Sequence, residues 1–78
     1  MTMHIKPPLS ALEQIVLAEF DRSPLLDGTA LVPILANGAA LTRKEFSRTR
    51  QAGEDALVAL QKAGLAARDK RGWWYRLP

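Results

Sequence analysis

The sequence predicts a mainly helical domain of the α+β class, three helices closed by one small C-terminal β-hairpin. Three observations carry this. A serine or threonine stands three residues ahead of a glutamate at Ser10–Glu13 and at Thr42–Glu45, the pattern of a helix N-terminal capping box. Apolar residues follow each box at helical spacing. The chain then ends in two short segments around Asp69-Lys70-Arg71-Gly72, a polar turn with glycine at its close.

The elements follow in order. Residues 1–8 end in Pro7-Pro8 and are expected to form a flexible lead; residues 9–78 make the single domain that a chain of 78 residues allows. Leu12, Ile15, Val16, Glu19 and Phe20 recur at helical spacing and predict a first helix over Ala11–Arg22, stopped by Ser23-Pro24. A second helix, begun by Ser23-Pro24 or by Asp27, carries Leu31, Ile34 and Leu35 and stops at Asn37-Gly38, with Pro33 inside it. From Thr42 onward Phe46, Thr49, Gly53, Leu57 and Leu60 keep helical phase up to Ala63-Gly64. Two readings of this stretch stand: one long helix over Arg43–Ala63, or two short ones broken near Arg50–Gly53. Gly53 costs the long helix roughly 1 kcal/mol against alanine. In the hairpin, period-two alternation places Trp73, Tyr75 and Leu77 on one face, expected to roof the helices, and Trp74 and Arg76 on the other.

Charge is segregated along the chain. Residues 1–41 hold Lys6 and Arg22 against Glu13, Glu19, Asp21 and Asp27, whereas residues 42–78 hold nine basic side chains against four acidic ones, within an overall net charge of +3. A basic second half raises the question of a polyanionic partner. With no cysteine there is neither a disulfide nor a thiolate metal site. The first ten residues lack an export signal's apolar run, and the apolar-leaning stretch Thr29–Leu41 is interrupted by Pro33, Asn37 and Gly38. A soluble, cytoplasmic protein is the expectation.

Ala56-Leu57-Val58-Ala59-Leu60-Gln61-Lys62-Ala63-Gly64-Leu65, then the basic turn Arg68–Gly72, then Tyr75-Arg76-Leu77 resembles the ending of winged helix-turn-helix transcriptional regulators of the MarR-like, generic bacterial kind. The resemblance covers about Leu41–Leu77. It implies that the helix running into Gly64-Leu65 is the recognition helix and the hairpin is the wing. It further implies a small, non-enzymatic, sequence-specific binder of double-stranded DNA, a repressor or accessory factor acting by occupying its site. Leu41-Thr42-Arg43-Lys44-Glu45-Phe46-Ser47-Arg48 looks like the start of a family recognition helix. Phe46, however, stands eighteen residues before Gly64, a surplus of about seven over the family pattern, or two helical turns.

The candidate DNA-binding residues are Arg43, Lys44, Ser47, Arg48, Arg50 and Gln51 on the helix, Lys70 and Arg71 at the wing tip, and Trp74. On a continuous helix Lys44, Ser47, Arg48, Gln51 and Asp55 project away from Phe46 and Leu57. Arginine can pair with guanine edges and glutamine with adenine, while lysine and serine mostly hold phosphates. The alternative is an ordinary solvated face. Trp74, turned from the expected core, is a candidate anchor for a partner or for a sugar-phosphate backbone. Leu17, Val58 and Ala59, off the apolar stripes, are candidate contacts in a homodimer. Glu54-Asp55 reads as a solvated pair balancing the nearby arginines. His4 is the only histidine, and no cluster has metal-ligand or catalytic spacing, so neither cofactor nor enzymatic activity is expected. A winged-helix module that binds proteins rather than DNA is the rival reading, and an RNA-associated basic domain a third.

Overall fold

The computed structural model describes residues 9–78; the expected flexible lead at residues 1–8, with His4, lies outside the described residues. Three helices, α1 (Ala11–Glu19), α2 (Gly28–Leu35) and α3 (Arg43–Lys62), precede an antiparallel hairpin of β1 (Ala66–Arg68) and β2 (Trp74–Arg76). Both capping boxes form: Ser10 Oγ accepts from the Glu13 amide and Thr42 Oγ1 from the Glu45 amide, and each glutamate accepts from the cap's own amide. α1 stops three residues short of the expected Arg22. Phe20–Arg22 close as tight turns instead, with Asp21 and Arg22 amides donating to the Ala18 and Glu19 carbonyls, so the approach to Pro24 unwinds the helix early. Asp27 starts α2, its Oδ1 accepting from the Ala30 amide at 2.7 Å. Pro33 lies within α2, on its exposed side.

α3 is one continuous helix of 20 residues, about 30 Å long; the two-helix reading is excluded. Gly53, the residue that argued for a break, is buried against α2: a Cβ there would stand 3.2 Å from Leu31 Cβ. The glycine allows the two helices to approach, which offsets its helical cost. Gly28 makes the same contact from the other side. A Cβ on it would fall 2.8 Å from the Arg50 carbonyl and 2.6 Å from Glu54 Cγ. α3 ends in a Schellman turn, with the Leu65 amide donating to the Leu60 carbonyl, the Gly64 amide to Gln61, and Gly64 at φ +77.

Val16 of α1, Phe20 at its C-terminal cap, Leu26 before α2, Leu31 of α2, Ala56, Leu57 and Leu60 of α3, Ala66 of β1 and Trp74 of β2 form one buried cluster. Each large apolar member contributes about 1.5–3 kcal/mol by leaving water. Leu17, expected off the main face, packs against this cluster.

The hairpin faces the core in the phase opposite to that expected. Trp74 is 2% exposed, whereas Trp73 and Tyr75 are each 37% exposed. Register explains it. Trp74 pairs with Arg68 across the hairpin and, on its other edge, with Leu26 in a two-bond bridge: the Leu26 amide donates to the Trp74 carbonyl at 2.9 Å and the Trp74 amide to Leu26 at 2.7 Å. The inner face of the hairpin therefore carries Ala66, Arg68, Trp74 and Arg76. Its arginines reach outward past the indole. The Arg68 guanidinium lies over the Trp74 ring at 5.8 Å, and Arg76 pairs with Asp21 at 3.5 Å. Counting apolar residues favoured the wrong face because it ignored that arginine can rim a buried ring.

Candidate nucleic-acid interface

The first third of α3 overhangs the body of the fold. Thr42, Arg43, Lys44, Glu45, Phe46, Ser47 and Arg48 are all exposed, and Gly53 is the first buried residue of the helix. Arg43 and Gly53 are about 15 Å apart along the axis. Phe46 continues the buried stripe of Gly53, Leu57 and Leu60 but is 40% exposed, a correction to its expected place in the packed stripe.

Helical spacing sorts the candidates. Lys44, Arg48 and Gln51 stand at i, i+4 and i+7 on the side away from the core, with Ser47 at its edge; all four are exposed. Arg43 and Arg50 lie nearer the body, and Arg50 is half-buried, its carbonyl close to Gly28. Gln51 donates from Nε2 to Asp55 Oδ1 at 2.9 Å, which fixes the amide and leaves its oxygen free. Among the described residues no salt bridge engages Arg43, Lys44, Arg48 or Arg50. Glu54 does not balance them. Its Oε1 accepts from the Gly28 amide at 2.9 Å, so it caps α2 beside Asp27. The expectation of a solvated Glu54–Asp55 pair is corrected at Glu54. The signal was the free amide at the start of α2, which a glycine leaves open to a side chain from another helix.

At the N-terminus of α3, backbone and hydroxyl hydrogen bonds from Thr42 hold the Glu45 carboxyl below its ordinary value of 4.5. The capping carboxylate is thus spent on the helix end.

Lys70 and Arg71 are exposed at the hairpin turn. Asp69 shapes that turn: its Oδ1 accepts from the Arg71 and Trp73 amides, both at 2.9 Å. Trp74, the remaining candidate, is withdrawn from the surface by its burial; the exposed aromatics are Trp73 and Tyr75, on the opposite face. Among the described residues no cluster of His, Asp or Glu could hold a metal ion, and no helix is long and apolar enough to cross a membrane. No family model, no curated protein and no solved structure matches this chain.

Proposed function

We propose that the chain binds double-stranded DNA through the outward face of the α3 overhang, with the hairpin turn as a second contact. The observation that carries this reading is the overhang itself. A helix must stand clear of its own fold to enter a major groove about 12 Å wide, and here the freestanding stretch presents Lys44, Ser47, Arg48 and Gln51 together. The resemblance to winged helix-turn-helix regulators supports the same assignment: α3 as recognition helix, the β1–β2 hairpin as wing. Arg48 is the base reader in this reading, and Lys44, Lys70 and Arg71 hold phosphates. The biological consequence would be steric, occupation of an operator by a small repressor or accessory factor.

The test is binding to specific and scrambled duplexes over a range of salt. Arg48→Ala should cost about 1–3 kcal/mol and relax preference at one position. Replacing Lys70 or Arg71 with alanine should weaken all duplexes alike and reduce the salt slope by about one unit each. The exposed Phe46 favours a second reading, a winged-helix module docking on a protein. Duplex affinity indifferent to salt and to all three substitutions would give that reading the lead.

A further inference from the structure

The outer face of the hairpin carries two partly exposed aromatic residues, Trp73 and Tyr75, outside the buried core cluster. Trp73, immediately before β2, and Tyr75 within it flank the buried Trp74 and are both exposed, on the side away from the core that holds Trp74. Across the ladder Tyr75 faces Ala67, a side chain too short to cover a phenol ring. Trp73 follows the turn and is fixed there by the hydrogen bond from its amide to Asp69, so the ring stands on a held backbone. Apolar exposure alone would not identify the occupant; charge does. Arg68 and Arg76 lie on the inner face, over Trp74 and against Asp21, which leaves Lys70 and Arg71 as the cations beside the rings, while Asp69 is turned inward onto the turn amides. Lys70 and Arg71 are exposed immediately before the aromatic pair.

We infer that this face is a stacking platform for unpaired nucleotides of single-stranded DNA. The two rings take bases, and Lys70 and Arg71 take the adjoining phosphates. Paired rings with neighbouring cations are the combination that binds single strands without reading sequence, because every base offers a flat face and every linkage a charge. In extended backbone, side chains two residues apart are attached about 6.7 Å from one another, about twice the roughly 3.4 Å rise of stacked bases in a duplex. That spacing suits bases pulled out of their stack. With Lys70 and Arg71 engaged by phosphates, the Tyr75 hydroxyl is left to meet a ribose 2′-hydroxyl, which gives RNA little advantage over DNA on this face. The two rings lie apart from the duplex-reading face of α3, although Lys70 and Arg71 serve both modes, and the inference does not rest on that reading.

Tryptophan fluorescence tests it with an internal control, since Trp73 is accessible and Trp74 is not. Titrating the full chain with a twelve-residue oligothymidylate should quench the Trp73 emission and leave that of Trp74. Trp73→Leu should abolish the quenching, and both it and Tyr75→Ala, followed by anisotropy of a labelled oligonucleotide, should weaken binding about 5- to 150-fold. Trp73→Phe, which keeps a ring, should restore most of the affinity, and circular dichroism of each variant separates lost binding from lost fold. The inference is overturned if Trp73→Leu and Tyr75→Ala, both folded, bind within twofold of the parent. It is overturned equally if inorganic polyphosphate or an acidic peptide of matched charge quenches Trp73 as strongly, or if oligouridylate binds ten times tighter. Duplex titrations of the same variants keep the outcome distinguishable from that for α3.

Discussion

Gly28 stands where α2 and α3 come closest, and its missing side chain is a packing requirement. An added Cβ would meet the Arg50 carbonyl at 2.8 Å, a backbone atom that cannot swing aside, and Glu54 Cγ at 2.6 Å. Gly28→Ala should therefore destabilise the fold by about 1–3 kcal/mol, the usual cost of forcing atoms into a filled space, read as a shift in the urea midpoint. Gly53→Ala differs: its contacts at 3.2 Å are to the Leu31 side chain, and the roughly 1 kcal/mol gained in helix propensity opposes them. Trp74 and Trp73 make a second contrast. Trp74→Ala removes a fully buried indole and should cost about 3–5 kcal/mol, whereas Trp73→Ala should cost less than about half of that. Equal midpoints for the two tryptophan variants would contradict the observed strand phase. At this scale the sequence was legible where chemistry is local. The Ser10, Asp27 and Thr42 caps follow from side chains within three residues of their partners. Glu54 was not legible, because its partner, the Gly28 amide, is 26 residues away.

An element can keep its sequence period without having anything to pack on, and α3 is the case in point. Phe46, Gly53, Leu57 and Leu60 share one stripe, so periodicity gave the phase of the whole helix, yet only the last three are buried. Phase comes from the sequence, while length stays open there between one helix and two and is settled by Gly53 packing on α2; where the supporting layer ends is set by α1 and α2, which are short. The hairpin illustrates the converse. Its turn was readable from Asp69 and Gly72, but its inner face was chosen by the Leu26 bridge, a pairing made by a residue in an irregular segment. Because the overhang lacks tertiary support, its end depends on the Thr42–Glu45 box. Thr42→Ala should cost about 1 kcal/mol of local helix stability and speed amide exchange over residues 43–49 well before the buried half of α3 responds. Acid acts on the same end. The Glu45 carboxyl titrates below 4.5 in the folded chain, so its cap is fully present above that pH and is lost as pH falls through the lowered value. Protection of residues 46–49, taken relative to the intrinsic exchange rate at each pH, should fall in that acid window in the parent and stay level in Glu45→Gln. An identical acid profile in both would remove Glu45 from the cap.

Across the whole molecule the charge is arranged as a dipole along the sequence. The acidic surplus lies in residues 1–41 and the basic surplus in 42–78, the part that forms α3 and the hairpin. A polyanion approaching from solution is thereby oriented toward the second half before any contact forms. The number of cations engaged can be counted by salt. Lys44, Lys70 and Arg71 are the phosphate contacts of the proposed mode, with Arg43 and Arg50 on the flank of α3 close enough to add to them. At about −0.9 unit of slope per neutralised phosphate, one copy should give log affinity against log salt a slope of roughly −3 to −5. Two copies on a symmetric site, the arrangement by which two-fold proteins read half-sites about one helical turn apart, should give about twice that. Sedimentation of the saturated complex supplies the stoichiometry independently, so slope and mass must agree. A complex of one chain per duplex with a slope near −4 would fix the chain as a monomeric binder and end the homodimer expectation. Two chains with a slope beyond about −6 would establish the dimer on DNA. A slope between zero and −1 at either stoichiometry would mean that these cations are solvated in the complex, and the duplex reading would fall with them.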